Sequence, residues 1–248
     1  YPMVAHAAGS NPIPVKEKDY KINVDEIINS VTNETKIVFI ANPNSTGTYL
    51  PEKDVLRLHA SLPETVLLVI DAAYAEFANE KDYSPGVELV RNTSNTVMTR
   101  TFSKAYGLAG LRLGWCFAPL SIANVLNHLR GPFNVSLPAQ MAGVAALNDR
   151  VYLESVRDYN TKWREWLSNE LLKLGILVIP SSANFVLSKF KGGQKEAMLV
   201  NDFLVSSGIL VREMGAYGLP DCLRITVGPE NDLKRLIDQL KLFFGNTK

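Results

Sequence analysis

The chain has 248 residues, 46% hydrophobic and 21% charged, enough apolar material for one large core or two. With 26 basic against 25 acidic residues its net charge is +1, so it lacks the field that nucleic acid or an anionic membrane surface selects, and small-molecule chemistry is favoured. No apolar run has the length of a membrane span and no basic-then-apolar leader opens the chain, so a cytoplasmic location is expected.

Residues 1–8 read like the interior of a domain, as expected of a fragment. A short strand is predicted to start at 11–14, and Val24, Ile27, Ile28 and Val31 share one face of a helix over 24–31. The apolar run 36–41 predicts a parallel strand buried on both faces. It ends in Asn42-Pro43-Asn44-Ser45-Thr46-Gly47, ordinary turn chemistry taken alone, but at the carboxyl end of a strand, where open α/β sheets keep their ligands. Pro51 opens a helix at its favoured first-turn position. The buried strand over 65–70 stops at Asp71-Ala72-Ala73-Tyr74, where the acid suits either a functional carboxylate or a helix N-cap. Glu76 and Phe77 read as packing and helix surface. A surface connection over 81–85, a short helix over 87–90 and a buried strand over 95–99 follow. His6, His59 and His128 show no metal-ligand spacing, and neither a role nor a metal site is assigned to them.

The next stretch, Thr99-Arg100-Thr101-Phe102-Ser103-Lys104-Ala105-Tyr106-Gly107-Leu108-Ala109-Gly110-Leu111-Arg112-Leu113-Gly114-Trp115, sets one lysine among hydroxyls and glycines. It lies between the strand over 95–99 and another over 111–118, so Lys104 is expected in a partly desolvated turn. Burial and the neighbouring Arg112 cation favour a neutral, nucleophilic amine that can condense with a carbonyl, which is Schiff-base chemistry. Thr101, Ser103 and Arg112 are the groups that hold a phosphate, and Gly107, Gly110 and Gly114 permit close backbone approach to a ligand. An aldehyde carrying a phosphate fits both halves. The run RTFSKAYGLAGLRLGW resembles the lysine motif of fold-type I pyridoxal-phosphate (PLP) aminotransferases, and in particular that of the histidinol-phosphate aminotransferase family.

Downstream, Pro119 and Pro138 open helices. Tyr152, Val156, Tyr159, Trp163 and Trp166 recur at helical spacing and predict an aromatic core stripe between domains. From Gly175 the units shorten: strands over 176–179, 184–188, 209–212 and 222–227, and helices over 196–205 and 230–244. These suit a small, mostly antiparallel sheet carrying two helices, with a boundary near residue 150. Arg224 lies inside an apolar strand, where a guanidinium needs an anion, whereas Arg212 can face water at a strand end. Cys116 and Cys222 sit in apolar runs outside any CxxC and read as reduced core thiols.

The resemblance implies an α/β fold of the fold-type I PLP-dependent transferases. Its PLP-binding large domain, over 1–149, would hold a mostly parallel sheet between helices, and a smaller α+β domain would occupy 150–248. It implies PLP as cofactor, Lys104 as the Schiff-base residue, and Asp71 at the pyridine nitrogen. Tyr74 and Asn44 would donate to the ring oxygen, although here Ser45 replaces the family proline and the turn is one residue shorter. Thr101, Ser103 and Arg112 would hold the phosphate. Arg224 would clamp a carboxylate with support from Asn184, and Arg212 would face the substrate phosphate. The ring-stacking aromatic and a glycine-containing phosphate loop are expected before residue 1. The implied reaction is ping-pong transamination of histidinol phosphate with a 2-oxoacid in histidine biosynthesis, in a homodimer. An aromatic amino-acid aminotransferase or a PLP-dependent phospho-amino-acid decarboxylase would carry nearly the same motifs. A PLP-binding effector module of a regulator would need a DNA-binding segment upstream.

Overall fold

The computed structural model describes residues 1–245. Helices α1 (Pro2–Ala7) and α2 (Val24–Ser30) precede strand β1 (Ile37–Ala41), helix α3 (Glu52–Ser61), strand β2 (Leu67–Asp71), helix α4 (Val87–Asn92) and strands β3 (Thr96–Thr101) and β4 (Gly114–Phe117). Asn23 starts α2 by accepting a hydrogen bond from the Glu26 amide, which satisfies one of the free donors of the first turn. β1, β2 and β3 are parallel, joined by connections carrying α3 and α4, and β4 returns antiparallel along the edge. Parallel neighbours need such crossovers, whereas an antiparallel return needs only a loop. Here that loop is the lysine stretch.

One face of this sheet is closed. Val38, Ile40, Leu68 and Ile70 pack there with Val55 and Leu58 of α3 and Val24 and Ile27 of α2. The expectation that β1 is buried on both faces is not met: Ile37 and Phe39 are exposed because the helices cover the other side of the strand. Nor do residues 11–14 form a strand. Pro12 and Pro14 cannot donate to a ladder, and Ile13 points into solvent. β4 has an open outer surface, so Cys116 is exposed rather than a core thiol, whereas Cys222 is buried as expected.

The chain continues through α5 (Leu120–Leu129), α6 (Leu137–Asn148) and the long α7 (Arg150–Lys173). There follow β5 (Leu177–Ile179), β6 (Phe185–Lys189), α8 (Gly193–Ser206), β7 (Arg212–Glu213), β8 (Cys222–Thr226) and α9 (Glu230–Gly245). The second sheet is antiparallel in the order β5-β6-β8-β7. Val186, Leu223 and Ile225 project onto α7, α8 and α9 and meet Trp163, Leu167, Val200, Leu204 and Leu236. The predicted aromatic stripe on α7 is therefore only partly core. Trp163 is buried, whereas Tyr152 and Tyr159 are exposed; the Tyr159 hydroxyl donates to the Gly228 carbonyl at 3.2 Å.

The two sheets meet where the turn after β1 reaches the segment before β6. The Ser182 amide donates to the Gly47 carbonyl at 2.8 Å. Gly47 has φ +95, and a Cβ there would lie 2.5 Å from Ser181 Oγ, so both its conformation and the close approach require glycine.

Candidate active site

The carboxyl ends of β1, β2 and β3 bring the sequence-predicted residues together. Asp71, the last residue of β2, is half-buried, and its Oδ1 accepts from the Ala73 amide at 3.1 Å. Its Oδ2 accepts from the Tyr1 hydroxyl, and the Tyr1 ring stacks on Phe39 with centroids 4.8 Å apart and an interplanar angle of 16°. Phe39 and Asp71 share the open face because Phe39 pairs with Val69 and Ala41 with Asp71. Burial first, and then the hydrogen bond to Asp71, push the Tyr1 phenol above the ordinary tyrosine range. The aromatic that stacks on the cofactor is expected before residue 1, and an aromatic hydrogen-bonded to the acid is a separate feature. Tyr1 supplies one across a separation of 70 residues, which no local pattern signals.

The lysine loop is pinned by the Phe102 amide donating to the Leu113 carbonyl, the Leu108 amide to the Phe102 carbonyl, and the Gly107 amide to the Lys104 carbonyl. Phe102 and Ala105 are buried beneath it. Lys104 itself is exposed, contrary to the expected desolvation, because the loop caps the open end of β3 and its apolar neighbours face inward. The Lys104 amine stands 5.2 Å from the centroid of the Tyr74 ring. Thr101 Oγ1 accepts from the Ser103 amide at 3.0 Å. Arg112, in the left-handed region at φ 53, donates to the Ala109 carbonyl at 2.8 Å and reaches Ser103 Oγ at 3.5 Å. Two hydroxyls and a guanidinium fork thus share one rim.

From Lys104 a line of side chains runs to the second sheet. The Tyr74 ring meets Phe185 edge-on at 5.3 Å, and the Arg224 guanidinium lies over Phe185 at 4.5 Å. Arg224 also donates to the Ser45 carbonyl at 3.2 Å. Asn184 stands just before Phe185, its carbonyl accepting from the Val227 amide at 2.9 Å. Arg212 faces Arg224 directly across β7 and β8 and is exposed on the edge strand. Like charges in that position repel, and an anion held between them would relieve the repulsion. Phe185, the bridge of this line, was read only as part of a core strand.

Two residues behave differently from the sequence reading. Asn44 is 3% exposed, and its amide donates to Glu17 Oε1 at 2.7 Å and to the Tyr20 carbonyl at 3.3 Å. Its Oδ1 accepts from the Thr46 amide at 3.2 Å and the Thr46 hydroxyl at 2.7 Å. Both amide hydrogens are committed, so in this arrangement Asn44 braces the short turn instead of offering a donor to a cofactor ring. Burial raises the Glu17 carboxyl above its usual range, partly offset by the hydrogen bonds from Asn44 and Thr46. Glu76, read as packing and helix surface, is buried in an ion pair with Arg100. The surrounding 3-10 turn, Ala75–Phe77, points it inward.

Comparison with known proteins gives this arrangement its family. The sequence profile described as aminotransferase class I and II matches residues 1–240. The chain belongs to this family. A histidinol-phosphate aminotransferase of Paramagnetospirillum magneticum is 50% identical over 99% of the chain and 68% of its own length. One from Rhodospirillum centenum is 48% identical over 97% and 67%. Among solved structures, the histidinol-phosphate aminotransferase of Sinorhizobium meliloti in complex with pyridoxal 5'-phosphate superposes with a TM-score of 0.94 at 31% identity, covering 100% of this chain and 69% of that one. The chain thus spans about two thirds of the length of these relatives. Among the described residues no cluster of histidine, cysteine or carboxylate side chains could hold a metal, and no helix is long and apolar enough to cross a membrane.

Proposed function

We propose that the protein transfers the amino group of histidinol phosphate to a 2-oxoacid such as 2-oxoglutarate, with PLP as cofactor, in the cytoplasm and as a homodimer. The observation that carries this reading is the continuous line from the Lys104 amine through Tyr74 and Phe185 to Arg224, which joins a candidate nucleophile to a candidate anion clamp. The residues fit PLP. Asp71 already accepts from a donor carried on a six-membered ring, the Tyr1 phenol, and would accept from a pyridinium N–H in its place. The rim of Thr101, Ser103 and Arg112 suits the phosphate. When bound, PLP supplies an aldehyde that condenses with amines and a ring that draws off the electron pair left at Cα.

The protein's own groups do the rest. Lys104 would hold the cofactor and, with its amine freed, would move the proton between the substrate Cα and the aldehyde carbon of the cofactor. Asp71 would accept the ring N–H and keep it protonated. Tyr74, beside the lysine, would donate to the ring oxygen. Arg224, held by Phe185 and the Ser45 carbonyl, would grip the carboxylate of the 2-oxoacid with its planar fork, with Asn184, just before β6, as the supporting residue. Arg212, next to it, takes the phosphate of histidinol phosphate. Two domains, 1–149 and 150–248, would close over this cleft. Apolar side chains exposed along α5 and α6, among them Leu120, Leu129, Met141 and Val144, support a twofold partner.

Borohydride reduction of the PLP-loaded protein, followed by peptide mapping, tests the assignment. The pyridoxyl group is expected on Lys104, and a label on any other lysine removes the mechanism.

A further inference from the structure

Behind the strand ends lies an ion pair that the chemistry above does not use. Arg100, the penultimate residue of β3, donates to Glu76 Oε1 at 2.6 Å, the two side chains being 17% and 4% exposed respectively. Desolvating two charges offsets much of what their attraction returns, and apolar side chains of similar volume often serve stability as well. The pair is also incompletely satisfied, since Glu76 Oε2 and Arg100 Nε are buried without hydrogen-bond partners. Stability alone is therefore a weak account of it.

Its location suggests a better one. Asp71 pairs with Thr99, so those two side chains share one face of the sheet and Arg100 projects from the other. The last backbone link between the two segments is the Ala72 amide donating to the Thr99 carbonyl at 3.0 Å. Beyond it the chain divides into a loop carrying Tyr74 and a loop carrying Ser103, Lys104 and Arg112. Among the described residues, the side-chain hydrogen bond that ties the Tyr74 loop to β3, just before the lysine loop begins, is the one between Arg100 and Glu76. Arg100 also lies 5.8 Å from the centroid of the Trp115 ring, which ties in β4. Lys104 is exposed, so burial does not fix its amine.

We propose that Glu76 and Arg100 are positioning residues that set, from behind the sheet, the separation between the Tyr74 ring and the Lys104 amine. The proposal rests on Lys104 being the reactive lysine. It is tested on the full chain with Glu76→Asp and with the double variant Glu76→Leu/Arg100→Met. Three properties are measured: the thermal midpoint, the rate at which acetic anhydride labels Lys104 in cofactor-free protein relative to exposed Lys53 and Lys195, and kcat and KM with PLP bound. The double variant is expected to melt close to wild type, because no single charge is left buried alone. Its Lys104 labelling should nevertheless rise about two- to fivefold as the contact with Tyr74 loosens. Its kcat should fall about ten- to a hundredfold with KM for the 2-oxoacid nearly unchanged. Wild-type labelling and kcat in the double variant would make the pair merely structural. Should the double variant fail to fold, Glu76→Asp, which keeps the charge and shortens its reach, carries the same expectation and is overturned by the same result. Were wild type to take no PLP on Lys104, the proposed function would fall, while the labelling of cofactor-free protein would still judge the pair.

Discussion

Asn44 and Tyr74 separate the structural from the chemical duties of the site. Every hydrogen-bonding position on the Asn44 amide is engaged within the turn and with the 17–20 segment. Tyr74 instead presents its ring to Lys104 and Phe185. Removing Asn44 leaves the amide of buried Thr46 without its acceptor, and an unsatisfied buried polar group costs about 1–3 kcal/mol. Asn44→Ala should therefore lower the unfolding free energy by about that amount in urea titration, yet leave the PLP dissociation constant within about threefold. A loss of cofactor affinity with unchanged stability would return Asn44 to the cofactor. The neighbours of Glu17 in the chain signal only a charged loop, because its contact with Asn44 depends on a turn 27 residues away.

At the scale of elements, the site depends on how the turn after β1 docks against the start of β6. Gly47 permits that contact by taking φ +95 with no side chain. An alanine there would be strained in its backbone and would force Ser181 aside, at a cost of about 1–3 kcal/mol. Gly47→Ala is expected to lower the thermal midpoint by several degrees and to raise KM for the 2-oxoacid, since Arg224 donates to the neighbouring Ser45 carbonyl. Adding Ser181→Gly should recover part of the midpoint, by relieving the clash and not the φ strain. A midpoint unchanged in Gly47→Ala would mean that the turn does not need glycine.

For the molecule as a whole, substrate choice is decided where the edge of the second sheet reaches the cleft. Arg224 can serve a carboxylate in any aminotransferase of this kind, so it cannot separate histidinol phosphate from an aromatic acid. Arg212, facing it across the ladder, adds a second fork, which the dianionic phosphate of histidinol phosphate can use in addition to the first. Charged hydrogen bonds contribute about 1.5–3 kcal/mol each. Arg212→Ala should thus lower kcat/KM for histidinol phosphate by roughly ten- to a hundredfold or more and barely alter that for phenylalanine. Equal losses on both substrates, or a wild-type preference for phenylalanine, would move the assignment to an aromatic aminotransferase.

The lysine stretch, the acid closing the run before Asp71 and the arginine inside β8 were legible in the sequence because each is a local pattern: a polar residue ending or interrupting an apolar period. The same periodicity anticipated most helices and strands, including the antiparallel second sheet. Only the tertiary structure could decide which strand faces are covered, and so that Phe39, Cys116 and Lys104 are exposed. It alone joins Tyr1 to Asp71, Glu76 to Arg100 and Asn44 to Glu17. Those pairings link residues far apart in the chain, and their partners are chosen by how strands and loops pack, which no run of neighbouring residues records.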